Sequence, residues 1–133
     1  MRIYYAAASE QKSPRSEGLD PTGQDILRAM GTLTYDSKLA VSFDDRILAH
    51  LQVVIWSKLR RGEHFSFTWT EPSRSGFGRT SVWLAPSIPL TFEYFGGRQP
   101  RLNAQWVQIL TKSANSPGGL VLTPEPAEKD PPS

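Results

Sequence analysis

GTLTYDSKLAVSFDDRILAHLQVVIWSKLRRG, residues 31–62, changes its hydrophobic period half-way along, and that change decides the fold class. Leu33 and Tyr35 alternate with Thr32 and Thr34. Asp36-Ser37-Lys38 has turn chemistry, and Leu39, Val41 and Phe43 alternate with Ala40 and Ser42. A period of two on both sides of a short polar turn predicts a β-hairpin. From Asp44 the period lengthens. Leu48, Leu51, Ile55 and Leu59 recur at intervals of three, four and four, with Ile47 and Val54 widening the stripe. This predicts an amphipathic helix of about four turns. Asp44 is placed to cap its N-terminus, and Asp45 puts a negative charge in the first turn. Arg60 and Arg61 complement the C-terminal dipole, and Gly62 suits the residue that ends the helix. Trp56 breaks the stripe. It lies about 100° round from Ile55, on the flank of Asp45, Ala49 and Gln52. An indole there either folds over a sheet edge or meets a partner, a second copy of the chain included.

The pattern continues outward. Phe65, Phe67 and Trp69 alternate with Ser66, Thr68 and Thr70, and 71–78 reads as a flexible loop. Val82 and Leu84 share one face of the next strand, with Trp83 on the other. Pro86 and Pro89 bracket a sharp connection, after which Leu90, Phe92 and Tyr94 alternate with Thr91, Glu93 and Phe95. A second helix starts at a cap on Asn103, with Trp106, Ile109 and Leu110 on its apolar face, and stops near Asn115-Ser116-Pro117-Gly118-Gly119. Leu120-Val121-Leu122 forms a last strand. The order ββαβββαβ predicts an α+β fold, an antiparallel sheet with both helices on one face.

Three segments follow. Met30-Gly31 reads as a second, internal start. Residues 1–29 are expected to be a disordered leader, since 11–25 hold one apolar side chain in fifteen. Residues 30–123 form a single domain. Residues 124–133, with four prolines in ten, read as a disordered acidic tail. Residues 31–123 carry ten basic and six acidic side chains, and seven of the ten are arginine. There is no cysteine, which excludes disulfides, thiol catalysis and Cys-based zinc sites and fits a cytoplasmic location. The patch Ile3–Ala8 is too short for a secretory signal, and no apolar run approaches a membrane span.

No catalytic signature stands out. His50 and His64 have no ligand partner at metal-binding spacing, so neither a metal nor another cofactor is expected. There is no G-x-S-x-G, and Asp44 and Asp45 suit capping better than paired acid–base work. Gly76-Phe77-Gly78 and Gly96-Gly97 read as hairpin loops. Lys58, Arg60, Arg61 and His64 cluster at a helix C-terminus, where a solvated cap is the plainer reading. Arg74 and Arg79 flank one loop, Arg98 and Arg101 another. Should these loops converge, they form a basic rim beside Trp83, Tyr94 and Phe95, suited to stacking bases. These eight basic residues are the candidate basic surface. Trp56 and Trp83 are the candidate partner contacts.

The stretches GTLTY (31–35), FDDRILAHL (43–51), KLRRGEHF (58–65), WLAPSIPL (83–90) and SANS (113–116) resemble a family of small actinobacterial proteins of unknown function. Its members often carry the label "ATP-dependent DNA ligase". Such ligases adenylate the lysine of a K-x-D-G motif. None of Lys12, Lys38, Lys58, Lys112 and Lys129 is followed by x-Asp-Gly, and a 93-residue core is too small for that catalytic domain. The expected function is therefore a cytoplasmic, non-catalytic module that binds a protein partner, homodimerisation included. The runner-up is a nucleic-acid-associated accessory protein with weak DNA binding.

Overall fold

The computed structural model describes residues 2–5, 30–73 and 76–127. Its elements are β1 (Arg2–Tyr5), β2 (Met30–Tyr35), β3 (Leu39–Asp44), α1 (Asp45–Arg60), β4 (Phe65–Ser73), β5 (Gly76–Leu84), β6 (Leu90–Glu93), α2 (Ala104–Ala114) and β7 (Leu120–Val121). From β2 onward this is the order ββαβββαβ, and the class is α+β. Residues 6–29 and 128–133 of the expected leader and tail lie outside the described residues. Residues 2–5 do not: the Ile-Tyr-Tyr of β1 runs parallel to β3, Ile3 opposite Ala40. Branched and aromatic side chains favour such pairing, and the sequence reading gave these residues no element.

The strands divide between two sheets, where the sequence reading has one. The first has the order β1-β3-β2-β6, the second β5-β4-β7. The pairs β1–β3 and β4–β7 are parallel, and the other neighbours are antiparallel. Each helix is a crossover from the first sheet to the second, and residues 85–89 bring the chain back between them. Alternation fixes which face a strand buries, not which strand lies beside it. Two loops also differ. Residues 71–73 and 76–78, read as loop, extend β4 and β5, with Ser73 opposite Gly76. Gly96-Gly97 lies between β6 and α2, so it is not a hairpin loop.

The hairpin β2–β3 turns through Asp36 and Ser37, both at positive φ (54° and 58°), the sense that matches strand twist. Asp44 Oδ1 accepts the Arg46 N–H at 2.7 Å and caps α1. Gly62, at φ 80°, ends it in the left-handed region that glycine enters without penalty. α1 buries Leu48, Leu51, Val54 and Ile55. α2 buries Trp106, Leu110 and Ala114, whereas Ile109, expected on that face, is 39% exposed. The helices pack on each other, α1 also against β2 and β3, and α2 against β4 and β7. Between the sheets Phe43, Phe67 and Trp69 form one aromatic cluster. Phe43 meets Trp69 edge-on at 5.9 Å, and Phe67 lies 5.1 Å from Trp69.

A polar junction ties the helices and the chain end together. His50 is fully buried on α1. Its Nε2 accepts the Asn103 N–H at 2.7 Å, so Nδ1 carries the ring proton and donates to the Arg46 carbonyl at 2.7 Å. Asn103 Oδ1 caps α2 by accepting the Gln105 and Trp106 N–H groups. Asn103 Nδ2 donates to Glu125 Oε2, and Arg46 grips the same carboxylate in a two-pronged pair at 2.8 and 2.6 Å.

Candidate functional site: a cationic groove along the first helix

The flank of α1 that carries Asp45, Gln52 and Trp56 holds β6 and the chain after it by three contacts. Asp45 does more than compensate the dipole: its carboxylate accepts the N–H groups of Phe95 (3.0 Å) and Gly96 (2.9 Å). Seven residues on, Gln52 Oε1 accepts the Tyr94 hydroxyl at 2.6 Å. Burial, and then the charge of Asp45, raise the Tyr94 phenol above its ordinary pKa, so it stays protonated and donates. Four residues further, Trp56 meets Phe92 edge-on at 5.0 Å. Of the two readings of Trp56, the indole does fold over a sheet edge, and it remains half-buried there. Close packing at the base of this region needs Gly31. A Cβ there would meet the Glu93 carbonyl, the Leu48 methyl and the Asp45 carboxylate.

Pinned this way, residues 94–100 stand off the helix and leave a groove of about 590 Å³. Val53 and Trp56 line the α1 side, and Tyr94 and Pro100 the other. Gln52, Ser57 and Gln99 contribute hydrogen-bonding groups. Arg60 and Arg98 contribute charge, and no aspartate or glutamate lines the space. Neither guanidinium has a partner among the described residues. A second cleft of about 430 Å³ shares Trp56 and Arg60 and continues past Leu59 to Pro86, Ile88, Pro89 and Leu90. Such a surface can hold an anion and an apolar group side by side.

The other sequence candidates are dispersed. Lys58 is buried rather than part of a surface: its ammonium lies between Glu63 Oε1 and Asn115 Oδ1, each at 2.7 Å, and over the Phe65 ring. Arg61 donates to the other oxygen of Glu63 at 2.8 Å. These bonds, Arg61 first and Lys58 second, hold Glu63 at a pKa of about 2. His64 contacts Trp83 at 5.4 Å, and with Lys58 they border a separate depression of about 390 Å³. Trp83, 52% exposed, borders this depression, whereas Tyr94 and Arg98 line the groove along α1. Arg79 is exposed on β5. The Arg101 carbonyl accepts from Arg46, and Arg74 lies outside the described residues. Sequence reasoning missed the anchoring roles of Asp45, Gln52 and Tyr94. The signal was the 45/52/56 spacing on one flank.

Among the described residues no group of His, Cys, Asp or Glu is arranged to hold a metal ion, and no helix is long and apolar enough to cross a membrane. Fold and groove define a small two-sheet α+β module with a cationic groove along its first helix. The chain belongs to the family Domain of unknown function (DUF7882), whose model matches residues 30–125, beginning where β2 begins. No curated protein and no solved structure matches it.

Proposed function

We propose that this is a non-catalytic partner-binding module of the cytoplasm and that its partner is a protein, a second copy of the chain included, received in the groove along α1. The observation that carries this is the pair Arg60 and Arg98. Both line a groove without a carboxylate, beside Trp56, and neither has a partner among the described residues. Three other basic side chains near the helices, Arg46, Lys58 and Arg61, are neutralised by Glu125 or Glu63. The polar side chains of the groove are amides, hydroxyls and guanidinia, with no carboxylate or imidazole to serve as a base. That composition supports binding over catalysis. Affinity capture from native extract on wild type and on Trp56→Ala tests the reading. Proteins held by the wild type and lost on the variant support it, and identical profiles overturn it.

The same unpaired arginines support the second reading, a nucleic-acid-associated accessory protein akin to the ligase-labelled actinobacterial family. Retention on single- and double-stranded DNA at increasing salt separates the two. Phosphate contacts lose affinity steeply with salt and show little sequence preference.

A further inference from the structure

We infer that the groove receives an extended acidic segment of the partner, with carboxylates at Arg60 and Arg98 and an apolar side chain beyond Arg60. This rests on the partner-binding reading above and adds what the partner must present. The two clefts share Trp56 and Arg60 and so adjoin along α1, and we take them together as one groove. Its α1 side runs from Ala49 to Arg60. At 1.5 Å per residue that is about 16 Å of helix, the span of roughly five extended residues.

The two ends differ in chemistry. The end beside residues 94–100 offers Arg98, Gln99 and Gln52. The far end is apolar: Leu59, Pro86, Ile88, Pro89 and Leu90. Arg60 stands where they meet. Neither cleft contains an acid, so the groove keeps two uncompensated positive charges. Four carboxylates near the ends of α1 are committed elsewhere, Asp44 to the Arg46 N–H that it caps. Glu63 faces Lys58 and Arg61, Glu125 faces Arg46, and Asp45 is turned to the Phe95 and Gly96 amides. A guanidinium without an internal acid matches a carboxylate through two parallel N–H donors, and it keeps that charge at any physiological pH.

Length and lining favour a peptide over nucleic acid. Two cations neutralise only about two phosphates, which sustains weak binding at best. Trp56, the indole of the groove, is half-buried against Phe92, and the prolines and aliphatics beyond it are poor stacking platforms. Those same side chains accept an aliphatic or proline residue of an extended chain well.

Selection from a random dodecapeptide library on the full-length chain tests the inference. In parallel the library is selected on the Arg60→Ala/Arg98→Ala double variant and on Arg79→Ala, which removes an exposed cation outside the groove. The three guanidinia are solvent-exposed, and an unchanged thermal midpoint confirms that each variant folds. The wild type is expected to enrich peptides with two acidic residues at fixed spacing followed by an apolar residue. Arg79→Ala should return the same consensus, and the double variant should lose it. A synthetic consensus peptide should bind about tenfold more weakly to each single arginine variant, the scale of one charged hydrogen-bonded contact. Three results overturn the inference: no enriched peptide, a consensus without acids, or an acidic consensus that survives the double variant. Displacement of the peptide by oligo-dT at lower concentration than by unlabelled peptide also overturns it, in favour of nucleic acid. If extract proteins still depend on Trp56 while the library yields no acidic consensus, the acidic-segment inference falls and the partner reading stands. If neither binds, both fall.

Discussion

His50 accepts the backbone N–H of Asn103 across the junction of the two helices, at 2.7 Å and without exposure to solvent. One imidazole therefore satisfies a buried donor at the start of α2, donates to the Arg46 carbonyl, and packs against Trp106 at 4.5 Å. A histidine that looks like an unmatched ligand in the sequence is a splice between elements. His50→Ala leaves the Asn103 N–H unsatisfied and opens a cavity beside Trp106. The expected cost is roughly 2–5 kcal/mol. Urea denaturation checks it: a midpoint equal to that of the wild type would show that the junction contributes nothing.

Leu51 and Trp56 lie five residues apart on α1 and should respond differently. Leu51 is fully buried in the core, so Leu51→Ala should destabilise by roughly 2–5 kcal/mol. Trp56 is half-buried and packs on the Phe92 ring. Trp56→Ala should cost less than Leu51→Ala in the same denaturation experiment. Should the wild type form dimers, sedimentation of Trp56→Ala should show monomers that remain folded. A variant that stays dimeric would remove Trp56 from the self-association surface.

What the sequence shows and what it hides have physical causes here. The hairpin and α1 are legible because period two and period 3.6 each report a buried face. The division into two sheets is not. β6 pairs with β2 across more than fifty residues, and β7 lies parallel to β4, and no local signal encodes either partner. Trp56 was legible because it interrupts the stripe. The burial of Lys58 is not legible, because Asn115, one of the two oxygen partners of its ammonium, lies 57 positions away. Arg60 and Arg61 look alike in sequence. One helical step turns Arg61 to Glu63 and leaves Arg60 in the groove.

Acid should weaken the fold through Glu63 and Glu125. Glu125 is held at a pKa of about 2, foremost by hydrogen bonds from Arg46, with Asn103 adding to them and burial opposing. Glu63 is held at about 2 by Arg61 and Lys58. Both values lie below the ordinary 4.5. A group whose pKa is lower in the folded chain binds protons preferentially in the unfolded one. Its stabilising effect is therefore complete above pH 4.5 and is lost as pH falls toward about 2. The thermal midpoint of the wild type should drop through that window. Glu125→Gln cannot titrate at this position, so its midpoint should start lower and fall less steeply. Parallel curves for the two proteins would show that the Arg46–Glu125 pair does not drive the acid response.

The ligase activity weighed in the sequence analysis makes one chemical prediction sharp. Self-adenylation needs an unprotonated lysine amine to attack the α-phosphate of ATP, with pyrophosphate leaving. Lys58 is the lysine nearest the groove in sequence, and its ammonium is fixed between a carboxylate and an amide oxygen. Buried there and lying over the Phe65 ring, the amine is engaged by both oxygens rather than presented to a nucleotide. Its Glu63 partner stays ionised far below neutral pH, so the clamp persists at any pH used for ligation. None of the five lysines sits in K-x-D-G. Incubation with labelled ATP and magnesium should leave the chain unlabelled, and a nicked duplex should stay nicked. An acid-labile, base-stable adduct mapped to Lys58 would reverse this, because it would require the Glu63–Asn115 clamp to open in solution.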